Sequence, residues 1–226
     1  MRTAQLAWPR WSAGGATALR SSSINTAGSG AALSVAVPAG TQAGDKLFVL
    51  VNANGNVTIA DNNGANPLTV DAAVNNLQLA TQGMTTSLYL KTVTSGDLTA
   101  WGGTLQFATT AGGRWTVIAV AVANPKASFF DVTPVTDTND AGAVVSIAPD
   151  ITTLTANAIH IACACVDGGS TGITAPAGYT TAQNGGNEAA AVCSKVIATA
   201  GATGAQVFAL DSFEGSIAIS FAIKTV

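Results

Sequence analysis

Ser29–Pro38 reads SGAALSVAVP and Ala141–Pro149 reads AGAVVSIAP. Gly30-Ala31-Ala32-Leu33-Ser34-Val35-Ala36 aligns with Gly142-Ala143-Val144-Val145-Ser146-Ile147-Ala148 at a constant spacing of 112 residues, and a proline follows each copy. A chain that repeats a strand-like phrase half its length apart points to an internally duplicated unit.

The echo continues downstream. Leu47, Val49, Val51 and Ala53 match Ile159, Ile161, Cys163 and Cys165, again 112 apart, and each run enters a glycine turn. LYLKTVTSG (Leu88–Gly96) answers VCSKVIATAG (Val192–Gly201), with Lys91 and Lys195 now 104 apart. Ile118, Val120 and Val122 answer Ile217, Ile219 and Phe221 at a spacing of 99. The shrinking offset gives the second copy shorter loops, as expected where connections vary and cores do not.

Short runs rich in Val, Ile, Leu, Thr and Ala, separated by Gly, Asn, Asp and Pro, are an all-β signal. Strands are predicted at Leu33–Val37, Lys46–Asn54, Thr85–Val93, Thr104–Ala108 and Trp115–Ala123. In the second half they are predicted at Val144–Ala148, Ala158–Val166, Ala190–Ile197, Gln206–Leu210 and Ser216–Lys224. Five strands alone bury both sheet faces poorly, so the halves are expected to pack face to face. The predicted fold is an all-β, jelly-roll-like antiparallel sandwich of two duplicated halves with an extended N-terminal arm. The arm spans residues 1–28 and the sandwich 29–226, with half one at 29–124 and half two at 136–226. Two separate small sandwiches joined at Ala123–Asp140 are the other arrangement; Phe129-Phe130 within that join favours one domain.

Charged residues make up 9% of the 226, and the formal charge is −3, so no general nucleic-acid footprint is present. Forty-four alanines and an aromatic share of 6% give a thin core. At about 0.8 kcal/mol per buried CH₂, such a chain gains from burying surface against neighbours, so a homo-oligomer, for example a trimer, is expected. No run of 18 apolar residues predicts a membrane helix, and Pro9 and Arg10 interrupt the only leader-like stretch.

Catalytic signatures are not found. His160, Cys163 and Cys165 spell H-x-x-C-x-C, but strand alternation puts the histidine on the face opposite both thiols, so three small buried thiols are expected rather than a metal site. Asp61–Gly64 and Asp137–Asp140 lack the spacing of a calcium loop. No catalytic, metal or cofactor residues are nominated and no cofactor is expected. Trp8, Arg10 and Trp11 are the residue types enriched at interface anchors and are nominated as a partner contact. Trp101, Trp115 and Tyr179 are the aromatics that a carbohydrate-binding module could use as stacking platforms; Trp115 is expected in the core.

PAGTQAGDKLFVLVNANG (Pro38–Gly55), followed by LYLKTVTSGDL (Leu88–Leu98), resembles a pattern in β-sandwich proteins of tailed-phage virions. The resemblance covers most of residues 30–226. It implies a non-enzymatic virion protein made in the host cytoplasm: a capsid decoration (cement) protein, head fibre or tail component, touching the major capsid protein or other virion proteins without nucleic acid or membrane. A receptor- or carbohydrate-binding module of a fibre or tail tip is the alternative. Ala156-Asn157-Ala158 stands where the first copy has Gly44-Asp45-Lys46, so the second copy departs from the pattern there.

Overall fold

The computed structural model describes residues 5–7, 16–27, 29–168, 172–186 and 188–225. A seven-stranded antiparallel sheet has the order β1 (Gln5–Ala7), β2 (Ala18–Ala27), β10 (Trp115–Ala123), β4 (Lys46–Asn54), β8 (Met84–Thr92) and β6 (Thr69–Val70), with β7 (Leu77–Leu79) also on β8. A three-stranded sheet follows the order β3 (Ala32–Ala36), β9 (Thr104–Thr109) and β5 (Ile59–Asp61). A six-stranded sheet has the order β11 (Phe130–Ala148), β16 (Gln206–Ile223), β12 (Ala158–Val166), β15 (Ala190–Ile197) and β14 (Thr180–Gly185), with β13 (Ile173–Thr174) on β16. The protein is an all-β sandwich.

Its two large sheets face each other across a shared interior. Ile24, Phe48, Leu50, Leu88, Ile118 and Val120 from half one meet Ile161, Cys163, Val192, Ile217, Ile219 and Phe221 from half two. Each large sheet is covered on its other side as well. The small sheet packs Leu33, Val35, Leu105 and Phe107 onto Leu47, Val49 and Ala119. In half two, β11 and β16 double back, so that Ala148, Phe208 and Leu210 lie over Ala162, Ala164 and Ala218. This explains why β4, β10 and β12 read as continuous apolar runs: strands covered on both faces have no polar side to show.

The duplication is visible in the pairing register, but one residue away from the letters in β3 and β4 and two away in β10, with β8 unshifted. Leu50 pairs with Ile118 and Leu88; Cys163 pairs with Ile219 and Val192. Leu33 pairs with Phe107, and Ser146 with Phe208. The matching positions are therefore 113 apart for β3 and β4, 104 for β8 and 101 for β9 and β10. A one-residue slip in a period-two element exchanges its faces. Leu33 and Val35 are buried in half one, whereas in half two Ser146 and Ala148 are buried and Ile147 is 41% exposed. The phrase quoted at the outset is thus used inside out in its second copy.

Two expected boundaries are corrected. The arm predicted over residues 1–28 does not extend that far, because Ala18–Ala27 is a full strand paired along β10. Its sequence, ALRSSSINTA, hid it because polar residues fill it. They are satisfied one by one: Ser21 Oγ donates to the Ala39 carbonyl at 2.6 Å, Ser22 Oγ to Ala182 at 3.1 Å and Asn25 Nδ2 to Ser34 at 2.8 Å. The join at Ala123–Asp140 is largely β11, an end strand where Pro134 removes no needed ladder bond and register shifts flank it. Half two makes with β11 and β16 what half one makes with β2, β3, β9 and β10.

The helix α1 (Ser95–Trp101) is fixed by a capping box: Thr94 Oγ1 accepts from the Asp97 amide, and the Asp97 carboxylate accepts from the Thr94 amide at 2.8 Å. Burial alone would raise the Asp97 pKa, but the Thr94 bonds and Lys91, 3.3 Å away, hold it below the usual range. Replacing Thr94 with Ala is expected to cost about 1 kcal/mol, measured by urea unfolding; no change in midpoint would contradict the cap's role.

Candidate functional site

Trp8, Arg10 and Trp11 lie outside the described residues, so their nomination is carried by sequence. The other nominated groups are placed. Cys163 and Cys165 face the shared interior and Cys193 the opposite face of the same sheet; all three are free and buried. Burial raises the Cys165 thiol to about 12 and the Cys193 thiol to about 11, well away from thiolate chemistry.

His160 lies on the face opposite Cys163 and Cys165 and is fully buried. Its Nδ1 is 2.5 Å from Tyr179 Oη and its Nε2 3.3 Å from Ser220 Oγ. Burial pushes its pKa down to about 4, so it is a neutral imidazole held between two hydroxyls. No carboxylate is hydrogen-bonded to it among the described residues, and Ser220 is itself buried. The trio locks the Tyr179 turn onto the sheet. Trp101, one of the three candidate stacking platforms, is buried, and its Nε1 donates to the Asn66 carbonyl at 3.1 Å. Trp115 is in the core. The half-buried Tyr179 turns its hydroxyl inward, so these three do not form an outward stacking platform.

The carboxylates that burial raises sit where the two large sheets end together. Arg114, just before β10, places Nε 3.0 Å from Glu188 Oε1, and the Gly168 amide donates to Oε2 at 2.8 Å. Burial raises Glu188 to about 7, with the neighbouring Asp167 adding to the rise, and Asp167 is itself raised by burial and by nearby Glu214. Asn54 Nδ2 reaches Asp167 at 3.5 Å, tying β4 of half one to the end of β12. Asp140 caps the Thr81 and Gln82 amides from the other half at 3.0–3.1 Å. Sequence reading missed this cluster because its members are far apart in the chain and surrounded by ordinary turn residues. No group of three or more potential metal ligands occurs among the described residues.

The surface feature that stands out is apolar. On the doubled-back part of β11 and β16, Val144, Ile147, Val207 and Phe213 are exposed. Ile147 and Val207 are directly paired across the strands. Phe213 lies over Gly142, where a Cβ would come within 2.6 Å of the ring, so only glycine lets the ring settle on the backbone. Gly142→Ala should lift that ring and open the adjacent bend, read as increased amide exchange at residues 139–145. Unchanged exchange would contradict the contact.

Compared with known protein families and with curated proteins, the chain matches none at a significant level. Among the described residues no helix is long and apolar enough to cross a membrane.

Proposed function

We propose that this is a non-enzymatic structural protein of a tailed-phage particle, a capsid decoration protein that reinforces the head through subunit contacts. It is made in the host cytoplasm and ends up in the virion, bound to the major capsid protein or other virion proteins. The observation that carries this reading is the outward apolar sheet face of half two on a low-charge sandwich whose histidine and cysteines are buried. It is supported by the virion-type pattern at Pro38–Gly55 and Leu88–Leu98. The strand order β2-β10-β4-β8, with β3-β9-β5 laid across it and repeated in half two, supports reading each half as a jelly-roll-like unit. The carbohydrate-binding alternative loses its sequence motive, because Trp101 and Trp115 are buried and Tyr179 is engaged by His160.

Copy number in purified particles tests the reading: hundreds of copies are expected for a shell component, and absence from particles would overturn it. The nominated arm is tested by removing residues 1–15, which leaves β2 in place. Reduced occupancy on particles is expected, and undiminished occupancy would remove Trp8, Arg10 and Trp11 from the contact.

A further inference from the structure

The strands give the molecule two ends of opposite charge. Residues 1–126 carry seven basic and four acidic residues, whereas residues 127–226 carry two and eight. The fold sorts these charges by end. Lys46 starts β4 and lies over Phe129, whose carbonyl accepts from the Lys224 amide; Lys126 and Lys195 are at the same end. With Arg20 and Lys91 that end has, among the described residues, six basic groups against Asp45, Asp97, Asp131 and Asp150, with Arg20 paired to Asp45 and Lys91 to Asp97. Among the described residues, the opposite end holds Asp140, Asp167, Asp211 and Glu214, besides Arg114, whose guanidinium lies on the buried Glu188.

Each end also carries exposed apolar side chains. Phe213 (69% exposed) and Val144 (57%) stand at the acidic end, and Leu154 (71%) and Val196 (59%) at the basic one. Leu154 is fixed there by its amide, which donates to Asp131 at 2.7 Å. Nine-residue strands separate the ends by about 30 Å, so they cannot meet within one chain. Sheet-edge pairing along β11 is blunted by Pro134, register shifts and three aspartates, which leaves the ends as the better contact.

We propose that the occupant of the acidic, Phe213-bearing end is the basic, Leu154-bearing end of a second copy. The copies associate head to tail. Such a contact is heterologous: each copy keeps one free end, and assembly closes into a ring or continues according to the rotation between neighbours. Electrostatic complementarity orients the encounter, and the apolar side chains supply the desolvated centre. The inference does not rest on the virion reading, since it concerns the purified chain alone.

Sedimentation velocity on particle-free protein tests it with two variants that each block one end, Phe213→Asp and Leu154→Lys. Both positions are exposed, and circular dichroism checks that the variants fold; Val144→Asp and Val196→Lys serve where either does not. The wild type is expected to form species beyond the dimer at low salt. Raising ionic strength from about 0.02 to 0.5 M is expected to weaken association at least about tenfold, as screening shortens. Each variant alone is expected to be monomeric, while an equimolar mixture forms dimers and stops there. A wild type that stays monomeric at low salt, variants that associate as it does, or a mixture that stays monomeric would each overturn the proposal. Association of the pure protein without binding to particles would leave it standing and sink the decoration reading instead.

Discussion

Phe221→Ala is expected to lower the unfolding free energy by about 3–5 kcal/mol, read by urea denaturation. Phe221 is fully buried in the shared interior. It packs edge-on against Phe48 of half one, ring centres 5.4 Å apart, and against Phe130 at 5.7 Å. Removing the ring takes away burial from both halves at once and leaves a cavity between two sheets that are each pinned on their far side, so collapse to refill it is limited. A second consequence distinguishes this site from an ordinary core position: both halves should lose stability together. A cost below about 1 kcal/mol, or a loss confined to half two, would contradict the shared interior.

The second large effect is on the pH profile. Glu188 is raised by burial from 4.5 to about 7, so the folded chain holds a proton that the unfolded chain has released. The stability this contributes is full below pH 4.5 and is lost as pH rises through 7. His160 behaves oppositely, lowered by burial from 6.5 to about 4. Its contribution is full above pH 6.5 and is lost as pH falls through 4. Between pH 4.5 and 6.5 the Glu188 slope, to which the raised Asp167 adds, opposes that of His160, so the wild-type profile should rise less with pH than that of a variant lacking the Glu188 carboxyl. Glu188→Gln retains an oxygen for the Gly168 amide and removes one slope, so its stability should climb with pH by on the order of 2–3 kcal/mol across that window. A variant profile parallel to that of the wild type would contradict the assignment.

The elements that sequence reading found are those whose apolar content made them conspicuous. Lys46–Asn54, Trp115–Ala123, Ala158–Val166 and Ala190–Ile197 coincide with β4, β10, β12 and β15. The placement of His160 opposite Cys163 and Cys165 followed from alternation alone, and the structure agrees. What was illegible has physical causes. β2 is polar and is held by side-chain hydrogen bonds, so it carries no period-two apolar signal. The two long strands of half two were read in fragments because turn-like residues at their bend, Asp140-Ala141-Gly142 and Asp211–Gly215, continue the ladder around a corner. The spacing of 112 matches letters correctly and faces wrongly, since small residues such as Ser146, opposite Phe208, and Ala148 take the inward positions that Leu33 and Val35 take in half one. The Arg114–Glu188–Asp167 cluster depends on contacts between distant segments, which no local pattern announces.

The unity of the two halves has a convenient readout, because the probes separate by half. All four tryptophans precede residue 116, and all three cysteines follow residue 162. With Trp8 and Trp11 replaced by Phe, fluorescence reports on Trp101 and Trp115 in half one. The reaction of Cys163, Cys165 and Cys193 with a thiol reagent reports on half two. Followed through one urea titration, the two signals should change at a single common midpoint. Thiols that become reactive while the tryptophans remain native, or the reverse, would show two separate units and contradict the shared interior on which the rest stands.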